Sequence, residues 1–231
     1  LVFLAAAAGA GVVAADLLRG DDGASAAFGG LVGAEVLRRR LDAGRGPFYR
    51  SAVERRLSAE ETGERARRLR ELLAPCEVCP WMCRVDREVD RTGKCGMGVE
   101  AVVSAANLHH GEEPTLSGLR GSGTVFLAGC NLACRFCQNW PISHLRHGEP
   151  ATARELAAMM LALERRGAHN INFVTPTHFT PQIVEATALA RGEGLSVPLV
   201  WNCNGYERVE TLRLLDGIVE IYLPDLKYAD D

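Results

Sequence analysis

The sequence predicts an α/β fold: a partial (β/α) barrel, apparently cut short at its C-terminal end and preceded by a small cysteine-rich module. Three observations predict it. From residue 120 onward, short apolar runs alternate with capped amphipathic runs, the pattern of βαβ units on a parallel sheet. Four such units fill the last 110 or so residues, about half of the roughly 250 that a complete eightfold barrel needs. Seven of the eight cysteines fall into two tight groups, at 76–95 and 130–137, just before and just inside that alternation.

Taken in order, residues 1–50 form an Ala/Gly-rich leader. Its opening run is apolar for about 15 residues, short of the roughly 20 that a membrane span requires. It reads either as the remnant of an export or anchor signal or as a loosely packed helical leader. The arginine run at 38–40 reads as a solvated face. Residues 51–115 read as a helix plus a four-cysteine metal-binding module. Ser58 and Glu61 make a capping box for a helix over 59–74, with Leu69, Leu72 and Leu73 as its apolar stripe. Residues 116–231 are the partial barrel. Strands are expected at 124–128, 171–174, 199–201 and 218–223. Helices are expected at 152–166 (capping box Thr152/Glu155), after a Thr180 cap with Pro181 at its first position, and near 207–215.

Composition removes some function classes. Of 231 residues, 47% are hydrophobic and 24% charged, which excludes wholesale disorder. The net charge of −3 excludes a basic protein that coats nucleic acid, and no nucleic-acid partner is expected. Close C-x2-C spacing in a chain of this length favours metal binding in a reducing compartment over a disulfide framework. A cytoplasmic location is therefore expected.

The strongest chemical signal is Cys130-Asn-Leu-Ala-Cys134-Arg-Phe-Cys137, in the loop after the first predicted barrel strand. In parallel α/β folds, sites are built at that end of the strands. Three thiolates can ligate three irons of a 4Fe–4S cluster and leave the fourth iron open. A closed zinc site would need a fourth ligand, which His144 or His147 could supply. The first group, Cys76, Cys79, Cys83 and Cys95, has four ligands. Structural zinc, a second, fully ligated cluster and unmetallated thiols all remain open there. His109, His110, Glu112 and Glu113 read as a polar turn packed on the barrel's mouth, and Cys203 as a small buried residue.

The triple-cysteine loop, with Phe136 before its last cysteine, resembles the radical S-adenosylmethionine superfamily. The runs at 110–114 (HGEEP), 121–139, 167–178 and 222–228 resemble pyruvate formate-lyase activating enzyme homologues. The resemblance implies a 4Fe–4S cluster that reductively cleaves S-adenosylmethionine to a 5′-deoxyadenosyl radical, which abstracts a hydrogen from a substrate. It further implies an electron donor such as flavodoxin or ferredoxin, and a protein substrate activated at a glycine. The competing reading is a non-catalytic iron–sulfur or zinc-binding electron-transfer module.

The resemblance also assigns positions. Many relatives end the second strand in Gly-Gly-Glu, which receives the methionine amino group. This chain reads Thr175-Pro176-Thr177-His178 there, so Thr175, Thr177 or backbone carbonyls are expected to serve, while His178 reads as a hydrogen-bonded loop histidine. The third strand ends Asn202-Cys203-Asn204, without the carboxylate found in the activating enzymes. The fourth ends Asp225-Leu226-Lys227, matching their Asp-x-Lys. Lys227 is one of two lysines in an arginine-using chain and is expected to meet the cofactor carboxylate. Phe136, Thr175, Thr177, Asn202, Asn204, Asp225 and Lys227 are thus the expected cofactor-binding residues.

Overall fold

The computed structural model describes residues 55–89 and 92–227; the leader, its arginine run and residues 228–231 lie outside them. Helix α1 (Ala59–Arg70) starts on the expected Ser58/Glu61 capping box. It ends four residues early because the chain turns at once: the Leu72 and Leu73 carbonyls accept from the amides of Glu77 and Arg87. Strand β1 (Ala101–His109) follows, then a short helix α2 (Pro114–Ser117) and β2 (Ser122–Leu127). The cysteine loop leads into α3 (Trp140–Ser143) and β3 (Glu149–Ala151). Then come α4 (Ala153–Arg165), β4 (Ile171–Val174), a 3-10 turn (Thr177–Phe179) and α5 (Thr180–Gly192). Strand β5 (Leu199–Cys203), α6 (Val209–Leu214) and β6 (Ile221–Pro224) complete the described chain.

The fold is mixed α/β, with six strands in one sheet in the order β3-β1-β2-β4-β5-β6. Strands β2, β4, β5 and β6 are parallel, as the alternation predicts. The antiparallel strands β1 and β3 are additions to the expected four. Strand β1 is built of Ala, Ser and Asn as much as Val, a poor strand signal. Strand β3 is three residues long and contains Pro150, which an edge strand tolerates. Because β1 pairs with β2 along most of its length, residues 101–109 belong to the sheet. The last strand begins at 221 rather than 218, since the amides of Ile218 and Val219 still bond back to Leu215.

Strand alternation divides the sheet into two faces. Val125, Phe173 and Trp201 lie side by side in register, each fully buried, among the apolar faces of α4 (Leu156, Met160, Leu163) and α5 (Ile183, Val184). Burying each such side chain stabilises by about 1.5–3 kcal/mol. The alternate row carries Thr124 and Asn172, then Phe126, Val174 and Asn202 nearer the strand ends. Helix α1 packs on α5. Glu220 joins three elements, accepting from Arg56 Nε (2.6 Å), Arg191 Nη2 (2.9 Å) and the Leu199 amide (2.7 Å). Among the described residues, no helix is long and apolar enough to cross a membrane.

Candidate functional site

Strand β2 ends at Leu127 and the chain turns at Gly129 (φ 75°). A Cβ there would come within 2.7 Å of Met97 Cγ and 2.9 Å of the Cys95 carbonyl oxygen. Glycine is thus what lets this loop lie against the segment carrying Cys95. Beyond it, Cys130, Cys134 and Cys137 all line one cavity of about 510 Å³ at the C-terminal ends of the parallel strands. That volume lies within the range of small-molecule sites.

Hydrogen-bond donors are aimed at these sulfurs. The Leu132 amide donates to Cys130 Sγ at 3.3 Å, and Asn204 Nδ2 approaches the same atom at 3.7 Å. The Ser143 hydroxyl donates to Cys137 Sγ at 3.1 Å. The thiolate is the form of cysteine that binds metal. Buried Asn131 fixes the loop: its Nδ2 donates to the Tyr206 carbonyl, and its Oδ1 accepts from Asn204 Nδ2. Among the described residues, no three His, Cys, Asp or Glu side chains converge to hold a single metal ion. His144 instead bonds the Ser143 hydroxyl and stacks on Trp140. A cluster makes a different demand, because each thiolate binds its own iron. Three thiols spread around one cavity, each within reach of open space, fit that group.

Of the expected cofactor-binding residues, Phe136, Thr175, Asn202, Asn204, Asp225 and Lys227 line this cavity. Thr175 holds φ at +57°, which costs a β-branched residue about 1–3 kcal/mol; its amide donates to the Asn202 carbonyl. Asp225 and Lys227 lie just past β6 and pair with each other. Thr177 does not line the cavity: the chain enters a 3-10 turn, and its buried hydroxyl donates to Glu207. His178 is also buried and donates Nε2–H to the Ala128 carbonyl (2.8 Å). Burial pulls its pKa to about 3, so it is neutral. Burial pushes the Cys203 thiol up to about 12 and the Glu207 carboxyl to about 7.

Glu112, read from the sequence as part of a polar turn, is a cavity residue in the structure. It sits in the turn after β1 and lines the cavity. Its Oε2 accepts from Asn172 Nδ2 at 2.8 Å and lies 3.4 Å from Asn202 Nδ2. His109 Nδ1 stands 3.5 Å from its Oε1; among the described residues no Lys or Arg pairs with it. The HGEEP run was the available signal, but nothing local says that its first carboxylate turns inward.

Residues 124–231, which carry the three thiols, match the model of the Radical SAM superfamily. The chain is also 36% identical, over 163 residues, to an uncharacterized protein of Methanocaldococcus jannaschii, a match covering 68% of this chain and 46% of that protein. The chain therefore spans about half the length of that relative. No solved structure matches it. Likeness to that superfamily implies a 4Fe–4S cluster and S-adenosylmethionine, and the cavity's three thiols fit the former.

Proposed function

We propose that this protein is a radical S-adenosylmethionine enzyme whose cluster is held by Cys130, Cys134 and Cys137. One observation carries the reading: three thiols, two of them met by hydrogen-bond donors, share a cavity with groups suited to a zwitterionic ligand, the carboxylate of Glu112 and the ammonium of Lys227. When bound, the cluster and S-adenosylmethionine supply one-electron cleavage of the sulfonium C–S bond and the hydrogen abstraction that follows.

The chain's own residues bind, orient and shield. Glu112 receives the amino group, the role that the missing Gly-Gly-Glu motif fills elsewhere. Lys227 turns from Asp225 to the carboxylate. Thr175, Asn202 and Asn204 supply polar contacts to the nucleoside, and Phe136 covers its base. Phe126, Leu127, Ile142 and Val174 form an apolar wall that excludes water from the reacting atoms.

The finer reading is abstraction from a backbone glycine of a partner protein, with the electron supplied by a small donor of the flavodoxin or ferredoxin kind. It rests on the likeness of the four flanking runs to the activating-enzyme homologues. The test is anaerobic reconstitution followed by reduction with dithionite in the presence of S-adenosylmethionine. The expected result is about four irons at the Cys130 site and equal amounts of 5′-deoxyadenosine and methionine. An intact cluster without cleavage would leave a non-catalytic electron-transfer module instead.

A further inference from the structure

The segment 71–100 packs against the cysteine loop yet has almost no structure of its own. Among its described residues, regular pairing is a single bridge between Leu73 and Cys76. Its buried apolar cluster consists of Leu73, Cys76 and Val78. So small a cluster does not hold thirty residues in place. Cys76, Cys79 and Cys95 are nevertheless buried and Cys83 half-buried, all as free thiols.

The local backbone is arranged around these sulfurs. The Lys94 amide donates to Cys83 Sγ at 3.3 Å. A Cβ at Gly93 would come within 2.7 Å of that sulfur, so glycine lets the 93–95 turn close on Cys83. Met82 (φ 38°) and Arg84 (φ 55°) flank Cys83 in the left-handed region and kink the chain to present it. Backbone hydrogen bonds tie the ligand positions together: the Arg84 amide donates to the Cys76 carbonyl and the Met82 amide to the Cys79 carbonyl.

A second observation is independent of the cysteines. Arg87 is 1% exposed. Its guanidinium donates to the carbonyls of Gly98 (2.9 and 2.5 Å) and His178 (2.6 Å) and lies over the Phe179 ring. Among the described residues no carboxylate pairs with it. A buried cation without a counter-anion is strongly disfavoured. The Arg87 backbone amide donates to the carbonyl of Leu73, which pairs with Cys76 in the bridge, so the cation sits beside the cysteine group.

We propose that Cys76, Cys79, Cys83 and Cys95 hold a soft metal as a tetrathiolate centre, separate from the cavity, with Arg87 as its buried counter-charge. Four thiolates around a zinc ion, or around a 4Fe–4S core of the same charge, leave two negative charges, which the guanidinium offsets in part. Binding draws together thiols that do not yet converge on a point. The centre also braces the cavity. Trp81, between two of the ligands, donates its indole N–H to the Asn131 carbonyl (2.6 Å), one residue from Cys130. Gly129 rests on Met97 and Cys95.

The test is metal analysis of the full chain, purified and reconstituted without oxygen, with Cys130, Cys134 and Cys137 all changed to Ala. About one zinc per chain, or about four irons with equal sulfide, should remain. Either supports the proposal and names the metal. Cys76→Ser with Cys95→Ser should remove that metal and leave the iron of the Cys130 site. Should the triple variant not fold, the parent chain decides: about four irons plus one zinc, or about eight irons, supports the proposal. Four irons and no zinc in the parent chain, or a folded triple variant free of both metals, overturns it. Arg87→Met should speed release to a chelator at least tenfold, with Arg87→Lys partly restoring it. Unchanged release would overturn the counter-charge. The readouts do not depend on cleavage of S-adenosylmethionine, so failure of this centre and failure of the proposed activity are distinguishable.

Discussion

Glu112→Gln isolates one charge in the cavity. The glutamine amide has the size of the carboxylate, and its carbonyl oxygen can still accept from Asn172 Nδ2, so the turn after β1 should keep its position. What goes is the negative charge, which in the free protein faces two asparagine amides and a histidine, and no Lys or Arg among the described residues. An ammonium placed against such a half-buried carboxylate gains a charge-assisted hydrogen bond of about 1.5–3 kcal/mol. Losing it should raise the dissociation constant for S-adenosylmethionine roughly 10- to 150-fold.

Glu112→Ala should match that loss of affinity and add a loss of stability. Asn172 is fully buried and its Oδ1 already lacks a partner. Removing the Glu112 carboxylate orphans its Nδ2 as well, at a cost of about 1–3 kcal/mol. The assay is titration of the reconstituted protein with S-adenosylmethionine, followed by the change in the cluster's electron paramagnetic resonance signal. Urea unfolding supplies the stability comparison. A Glu112→Gln protein that binds as tightly as its parent would refute the assignment of the amino group to this carboxylate. An alanine variant of undiminished stability would refute the role of Glu112 as the partner of Asn172.

Three further outcomes are expected. Lys227→Ala should leave iron content unchanged and weaken S-adenosylmethionine binding by about 10- to 150-fold, with only partial rescue by Lys227→Arg because a planar fork replaces a point charge; the same titration reads it. Glu207 has its pKa raised from 4.5 to about 7 by burial, so the folded chain holds that proton to higher pH than the unfolded chain. Stability should therefore be full below about 4.5, fall as pH rises toward 7 and level off above. Urea midpoints between pH 5 and 8 should show Glu207→Gln removing up to about 3 kcal/mol of that fall. Glu220→Ala should destabilise by about 3–5 kcal/mol, since it strands buried Arg191 and frees Arg56 and the Leu199 amide, and thermal unfolding would register it.

What the sequence made legible was local. Capping boxes at Ser58/Glu61 and Thr152/Glu155 lie within four residues, and both occur as expected. The parallel strands β2, β4 and β5 are short apolar runs that announce themselves. What stayed hidden depends on distance along the chain. Strand β1 is weak in composition and exists because β2 and β3 pair with it. Thr175 and Thr177 look equivalent in sequence, but a 3-10 turn begins between them, so one lines the cavity and the other meets Glu207. Glu112 became a cavity residue only through asparagines 60 and 90 positions away.

That dependence on distance bears on where the site begins. The superfamily match starts at residue 124, yet the cavity takes His109 and Glu112 from the segment before it. Strand β1, which carries His109, is the antiparallel neighbour that completes the hydrogen bonding of β2, and β2 leads into the cysteine loop. The loop's own backbone is fixed from the same side: Ala128 donates to the Val102 carbonyl, and the Asn131 carbonyl accepts from Trp81. A thiol loop can hold a cluster only if its three sulfurs keep their spacing, and these two bonds to Trp81 and Val102 help to hold the loop's backbone. The segment before residue 124 is therefore part of the cavity's architecture: His109 and Glu112 line it, and Trp81 and Val102 bond the backbone of the loop that carries the thiols.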